Sequence, residues 1–142
     1  MINRTNYNYL NNCNRLKIYV FGNPLVKEDS IPIKLLPDLK QQFPYIEFIV
    51  CDPNENFPPP GEKDLTILDT VIGIKKPAIL NLDDFGSKGK TPISPHDYDL
   101  LFHLLLLKKL KKINGVKILG IPLNKSRNII HQIKLLISQL TN

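Results

Sequence analysis

Two cysteines among 142 residues, Cys13 and Cys51, are too few and too far apart for a disulfide framework, and no CxxC spacing is present to hold zinc. They read as two thiols of a reducing compartment. Long apolar runs are missing as well. The longest, Leu100 to Leu107, is broken by His103 and falls well short of the roughly 20 residues that span a bilayer. Met1 to Asn14 is rich in asparagine and has no apolar h-region, so no secretory signal is expected and the expected location is the cytoplasm. No Walker or dinucleotide glycine fingerprint appears. No Ser-His-Asp or Cys-His motif points to a covalent hydrolase, and there is no internal repeat.

What remains is an ordinary globular composition. A chain of this length makes one domain, and it can bury a core without staples. Hydrophobic residues make up 42% and charged residues 23%, with a net charge of +6. A basic balance of that size fits nucleic-acid contact, an acidic protein partner, or a lysine-rich proteome. The abundance of Asn, Lys and Ile favours the last. Without aromatic-basic interleaving, nucleic acid is not an expected partner.

Residues 1–14 carry too few apolar side chains to pack and are expected to form a flexible arm, leaving 15–142 as the single domain. Leu16 to Phe21 is nearly continuous in apolar character, as a buried parallel strand is. Ile33, Leu36, Leu39 and Phe43 have helical spacing. Pro32 suits the first turn of that helix, whereas Pro37 should kink it or delay its start. Tyr45 to Cys51, Asp64 to Asp69, Pro77 to Leu82 and Val116 to Ile121 read as further strands. The prolines at 58–60 and Gly61 mark a loop, as do Gly86, Gly89, Pro92 and Pro95. His96 to Ile113 is a leucine-rich helix closed by Asn114-Gly115. Ser126 caps a last helix with Ile129, Ile130, Ile133, Leu136, Ile137 and Leu140 on one face. Strands alternating with helices predict an α/β fold: a three-layer α/β/α sandwich around an open, mainly parallel five-stranded sheet.

Ligands in such folds sit beyond the carboxyl ends of strands. Three motifs fall at strand ends or a helix start. The first is Gly22-Asn23-Pro24-Leu25-Val26-Lys27-Glu28-Asp29, directly after the first strand. Its acidic pair serves either as chemistry or as a solvated loop in which Asp29 or Ser30 caps the next helix. The second is Leu65-Thr66-Ile67-Leu68-Asp69. A carboxylate ending a buried strand is costly unless paired, hydrogen-bonded or bound to metal. Asp69 is therefore a ligand, a catalytic group, or an acceptor for neighbouring backbone amides. The third is Ile93-Ser94-Pro95-His96. A helix N-terminus disfavours imidazolium, so His96 should stay neutral and able to ligate a metal; the alternative is an ordinary hydrogen-bonded histidine. His103, about two turns on and on nearly the same helix face, either supports the site behind His96 or, among leucines, lies in the core, which is the expectation; His131 belongs to no constellation. Lys108, Lys109, Lys111 and Lys112 suit a helix C-terminus and read as a solvated face rather than a docking patch. Two carboxylates and an imidazole converging at one sheet edge can bind a borderline divalent metal and leave positions open.

In this order the motifs resemble the nickel-iron hydrogenase maturation proteases. That family has a glycine-asparagine turn after its first strand leading to Leu and two acidic residues, and Gly22 to Asp29 is similar to that run. Val116 to Pro122 resembles the family's late strand, and Asn54-Glu55-Asn56-Phe57 resembles a stretch found after its second strand. The resemblance spans roughly residues 16 to 140. It implies that Asp29, Asp69 and His96 are metal ligands, with Asp29, Asp69 and Glu28 as the catalytic carboxylates, Glu28 in a supporting role either behind the ligands or as general base. It implies an endopeptidase that removes a C-terminal peptide from a hydrogenase large-subunit precursor after nickel has been inserted. The nickel is then carried by the substrate, although other divalent metals can occupy the site, and the protease acts as a monomer without a membrane span. Ser30-Ile31-Pro32 replaces the family's glycine-containing continuation, Asp52-Pro53 its glycine-rich turn, and Glu28 its usual aspartate. Those departures motivate a second reading, a non-cleaving chaperone that checks for nickel on the same fold. A third reading is an unrelated α/β hydrolase or phosphate-binding protein.

Overall fold

A computed structural model describes residues 15–52, 56–84, 98–123 and 128–141. Five strands form a sheet: β1 (Lys17–Phe21), β2 (Glu47–Cys51), β3 (Asp64–Thr70), β4 (Ala78–Asn81) and β5 (Gly115–Ile121), in the order β2-β1-β3-β5-β4. β1 lies parallel to β2 and β3, and β3 parallel to β5. Among the described residues three α-helices accompany it: α1 (Ile31–Gln42), α2 (Tyr98–Lys109) and α3 (Ile129–Thr141).

The period-2 alternation of strand side chains divides the core into two layers. Tyr19, Phe21, Leu65, Ile67, Val71 and Ile118 pack on one face with Leu104 of α2. Ile18, Val20, Leu68, Leu119 and Ile121 pack on the other with Leu36 and Leu39 of α1 and Ile133 and Ile137 of α3. The molecule is thus the α/β/α sandwich that the strand-helix alternation predicts, with both faces of its central strands β1, β3 and β5 covered. Phe57, beyond the start of the proline loop, sets its ring edge-on to Tyr19 and Phe21, at centroid distances of 5.2 and 5.1 Å.

The sheet is mainly parallel, as expected, with one strand of the other sense, and three further details differ from the sequence reading. β4 runs antiparallel to β5, pairing Ala78 with Gly120 and Asn81 with Lys117. The connection from Thr70 to Ala78 is too short to carry a packed crossover back to the other edge, so β4 starts where β3 ends. Pro37 lies inside α1 without delaying its start at Ile31. It is exposed, so water can meet the carbonyl it leaves without a donor. The helix closing near Asn114-Gly115 instead stops at Lys109. Lys112 N–H donates to Leu107 O (2.9 Å) and Lys111 N–H to Lys108 O (3.1 Å), with Lys111 at φ 58°. This is a Schellman cap with lysine where glycine is the usual choice. Finally His103, expected in the core, is exposed. α2 is apolar around most of its circumference, and burial of Leu104 turns its neighbour outward. The N-terminal arm, Ser126 and Asn54-Glu55 lie outside the described residues.

Candidate functional site

The chain leaves β1 through a turn that its own backbone ties together. Asn23 N–H donates to Asp29 O (3.1 Å), Val26 N–H to Asn23 O (3.1 Å) and Asp29 N–H to Val26 O (3.0 Å). The Asn23 side chain adds a local bond, its Oδ1 accepting from Leu25 N–H at 3.0 Å. Closing the turn this tightly leaves no room at Gly22. A Cβ there would lie 2.9 Å from Asp29 O and 3.1 Å from Ile33 Cγ1. Glycine at 22 is therefore the local condition for Asp29 to reach its position. Lys27–Asp29 forms a single 3-10 turn with Glu28 in its middle, and Asp29 is buried at 6% exposure. Ser30 occupies the N-cap position of α1 but does not cap it. Its hydroxyl donates backward to Lys27 O at 2.8 Å, which binds the 3-10 turn to the helix start.

Asp69 is the penultimate residue of β3 and is buried at 4% exposure. Its Oδ1 accepts from Thr70 N–H at 2.8 Å, so the amide-accepting role expected as one alternative is present. In the register Asp69 faces Gly120 of β5. Continuing the pairs Tyr19–Ile67 and Val20–Leu68 places Phe21 on its other side and Gly22 beside Thr70. Asp29 and Asp69 therefore share the carboxyl edge of two adjacent parallel strands. They come to it from different layers: Asp69 is in phase with Leu65 and Ile67 on the α2 side, whereas the Gly22–Asp29 turn leads into α1.

Thr70 was not singled out by sequence reasoning. It is fully buried, and its hydroxyl has no hydrogen-bond partner among the described residues. It lies on the α1 side, next in register to Gly22. The signal was available, since a threonine ends a strand at a candidate site edge, but threonine is common in strands for packing reasons alone.

The third expected ligand, His96, lies outside the described residues. α2 starts at Tyr98, two positions on, and its last turn reaches Lys108 beside Asn114 and Gly115 at the amino edge. The helix therefore begins at the same edge as Asp29 and Asp69. Among the described residues no three His, Cys, Asp or Glu side chains are grouped so as to hold a metal. The backbone of Glu28 is placed in the turn with Asp29.

A groove of about 1070 Å³ opens at the opposite, amino edge, lined by Arg15, Lys17, Glu62, Asn81 and Lys117 among others. Lys17 Nζ meets Glu62 Oε1 there at 2.9 Å. This pairing, through the hydrogen bond first and the charge second, raises the Lys17 pKa above its usual 10.5. Burial pushes the Tyr19 phenol above 10.0. Lys17 and Glu62 are partly open to water and paired with each other, so the groove's size does not make it the better candidate for catalysis.

Fold and edge together define the class: an α/β protein with two buried carboxylates at the carboxyl edge of adjacent parallel strands. Against protein-family models, curated proteins and solved structures the chain finds no match. Among the described residues no helix is long and apolar enough to cross a membrane.

Proposed function

We propose that this protein is an endopeptidase removing a C-terminal peptide from a nickel-loaded nickel-iron hydrogenase large-subunit precursor. The observation that supports this best is the pair Asp29 and Asp69, buried at 6% and 4% exposure at one edge of the sheet. A buried carboxylate is held in one place by its surroundings, and two held at one edge suit a divalent cation brought to them. Nickel reaches them as part of the substrate. Two carboxylate oxygens and the imidazole of His96 suit a borderline divalent metal. Three ligands bind a free ion modestly but can complete the shell of one already held by precursor thiolates, which gates cleavage on assembly. Glu28, in the same turn as Asp29, takes the proton from the water that attacks the scissile carbonyl, and the proton passes to the leaving amine.

The test is incubation with a nickel-loaded precursor followed by intact-mass measurement. A single C-terminal cut, lost in Asp69→Asn, is the expected outcome; a precursor left whole overturns the protease reading. One observation favours the non-cleaving chaperone instead. Ser30 ties the turn directly to α1 through Lys27 O, where the family that this chain resembles continues with glycine. A precursor bound tightly in its nickel form yet never cut would support that second reading.

A further inference from the structure

The carboxyl edge is bordered by exposed apolar side chains, at places where a chain usually turns on polar ones. In the turn after β1, Leu25 is 92% exposed and Val26 44%. Ile72, two residues past the end of β3, is 41% exposed, and Leu123, two past the end of β5, is 36% exposed. β1, β3 and β5 are successive neighbours in the sheet, and neighbouring strands lie about 4.8 Å apart, so the three exits adjoin. Val71 N–H donates to Ile121 O at 2.8 Å, which keeps the exits of β3 and β5 side by side. A contiguous apolar patch of this kind marks an interaction surface.

The turn after β1 presents its apolar pair on fixed backbone. Leu25 N–H is held by Asn23 Oδ1 and Val26 N–H by Asn23 O, and Asp29 O closes the turn on Asn23 N–H. Side chains carried by backbone already bonded in place lose less freedom when they are covered.

The charge at the same edge selects what covers them. Asp29 and Asp69 lie there at 6% and 4% exposure. A second copy of this chain laid edge to edge would set carboxylates against carboxylates, an unfavourable pairing. A protein segment that carries a cation beside apolar side chains matches both features, its cation meeting the carboxylates and its apolar groups meeting Leu25, Val26 and Ile72. Covering the rim also removes water, which strengthens the attraction between cation and carboxylates. Apolar contacts that keep water from a central charged contact are how interfaces concentrate their affinity.

We propose that Leu25, Val26 and Ile72 form the docking rim for the metal-bearing segment of the precursor, and that they select a segment with apolar side chains beside the metal. The inference rests on the reading of the partner as a nickel-loaded precursor. It adds the residues that recognise the polypeptide rather than the metal.

Cleavage of the nickel-loaded precursor, followed by intact mass over a range of precursor concentrations, tests it. Leu25→Ser should raise KM by about tenfold or more with kcat little changed, because the lost contact is made equally before and during reaction. Leu25→Met should recover most of the loss. Leu135→Ser, on α3 where Leu135 is 53% exposed, should keep the wild-type KM. Leu25 lies outside the core, so its variants keep their fold, which circular dichroism verifies. A Leu25→Ser protein that cuts with the wild-type KM overturns the rim and leaves the protease reading standing. If the precursor is bound and never cut, the same comparison is made on its dissociation constant, where weakening in Leu25→Ser supports the rim and equal affinity overturns it. A wild type that neither binds nor cuts the precursor overturns the rim and the protease reading together.

Discussion

The two edges of the sheet hold the same kinds of groups under opposite conditions. At the amino edge Glu62 and Lys17 meet across an open groove, with side chains 31% and 41% exposed. At the carboxyl edge Asp29 and Asp69 are almost wholly withdrawn from water. An exposed ion pair contributes little and costs little, whereas a buried carboxylate is expensive and persists only where surroundings hold it. The backbone follows the same division. The carboxyl edge is built on a turn closed by its own hydrogen bonds around Gly22, and the amino edge on a proline loop ending at Gly61. Chemistry that needs a charge in a fixed place belongs at the first edge.

The largest effect expected from breaking this contrast comes from its two glycines. Gly22→Ala places a methyl group against the backbone oxygen of Asp29 and should destabilise the fold by about 2–3 kcal/mol. Gly61, at φ 86°, has nothing within 4 Å of a Cβ, so Gly61→Ala should cost only the left-handed strain, about 1 kcal/mol. Chemical denaturation of both variants measures the difference, and equal losses would erase the distinction between a clamped edge and an open one. Thr70→Val comes next. It removes a buried hydroxyl without a hydrogen bond among the described residues, so the denaturation midpoint should rise, corresponding to about 1 kcal/mol. A fall would show that the hydroxyl has a task at the carboxyl edge.

Much of this was legible in the sequence. Apolar runs located all five strands to within a few residues, most plainly the central β1, β3 and β5, because a strand covered on both faces has no polar alternation to confuse it. The helical face of α3 was legible for the complementary reason: Ile133 and Ile137 lie one turn apart and are buried, while the other side is mostly polar, with Leu135 the exposed exception. Strand direction was not visible, since apolar runs carry no sense of direction; only the short link from Thr70 to Ala78 encodes that of β4. The phase of α2 was hidden too. With leucines on nearly every side, nothing marked Leu104 rather than His103 as the buried position. At the site, Gly22-Asn23 and Asp69 were legible as motifs. The steric need for glycine arises only when Asp29 O returns to β1, a contact that spacing does not state.

The smallest effect is expected at the amino edge. Glu62→Gln should leave the neutral-pH denaturation midpoint almost unmoved. Lys17 and Tyr19 both hold their protons more tightly in the folded chain than in the unfolded one. Their contribution is complete below pH 10.0, the ordinary tyrosine value, and is lost as pH rises through the higher folded values. Stability should decline in that alkaline window, and Glu62→Gln should reduce the share due to Lys17. A profile flat through the window would contradict this.

The central claim is that the buried carboxylates serve a metal. Calorimetric titration of nickel into the wild type, Asp69→Asn and His96→Ala tests it directly. Asparagine at 69 keeps an oxygen for Thr70 N–H while removing the charge, so the fold should hold. The account predicts saturable one-site binding by the wild type that is lost in both variants. Binding of equal strength in all three, or none by the wild type, would contradict it.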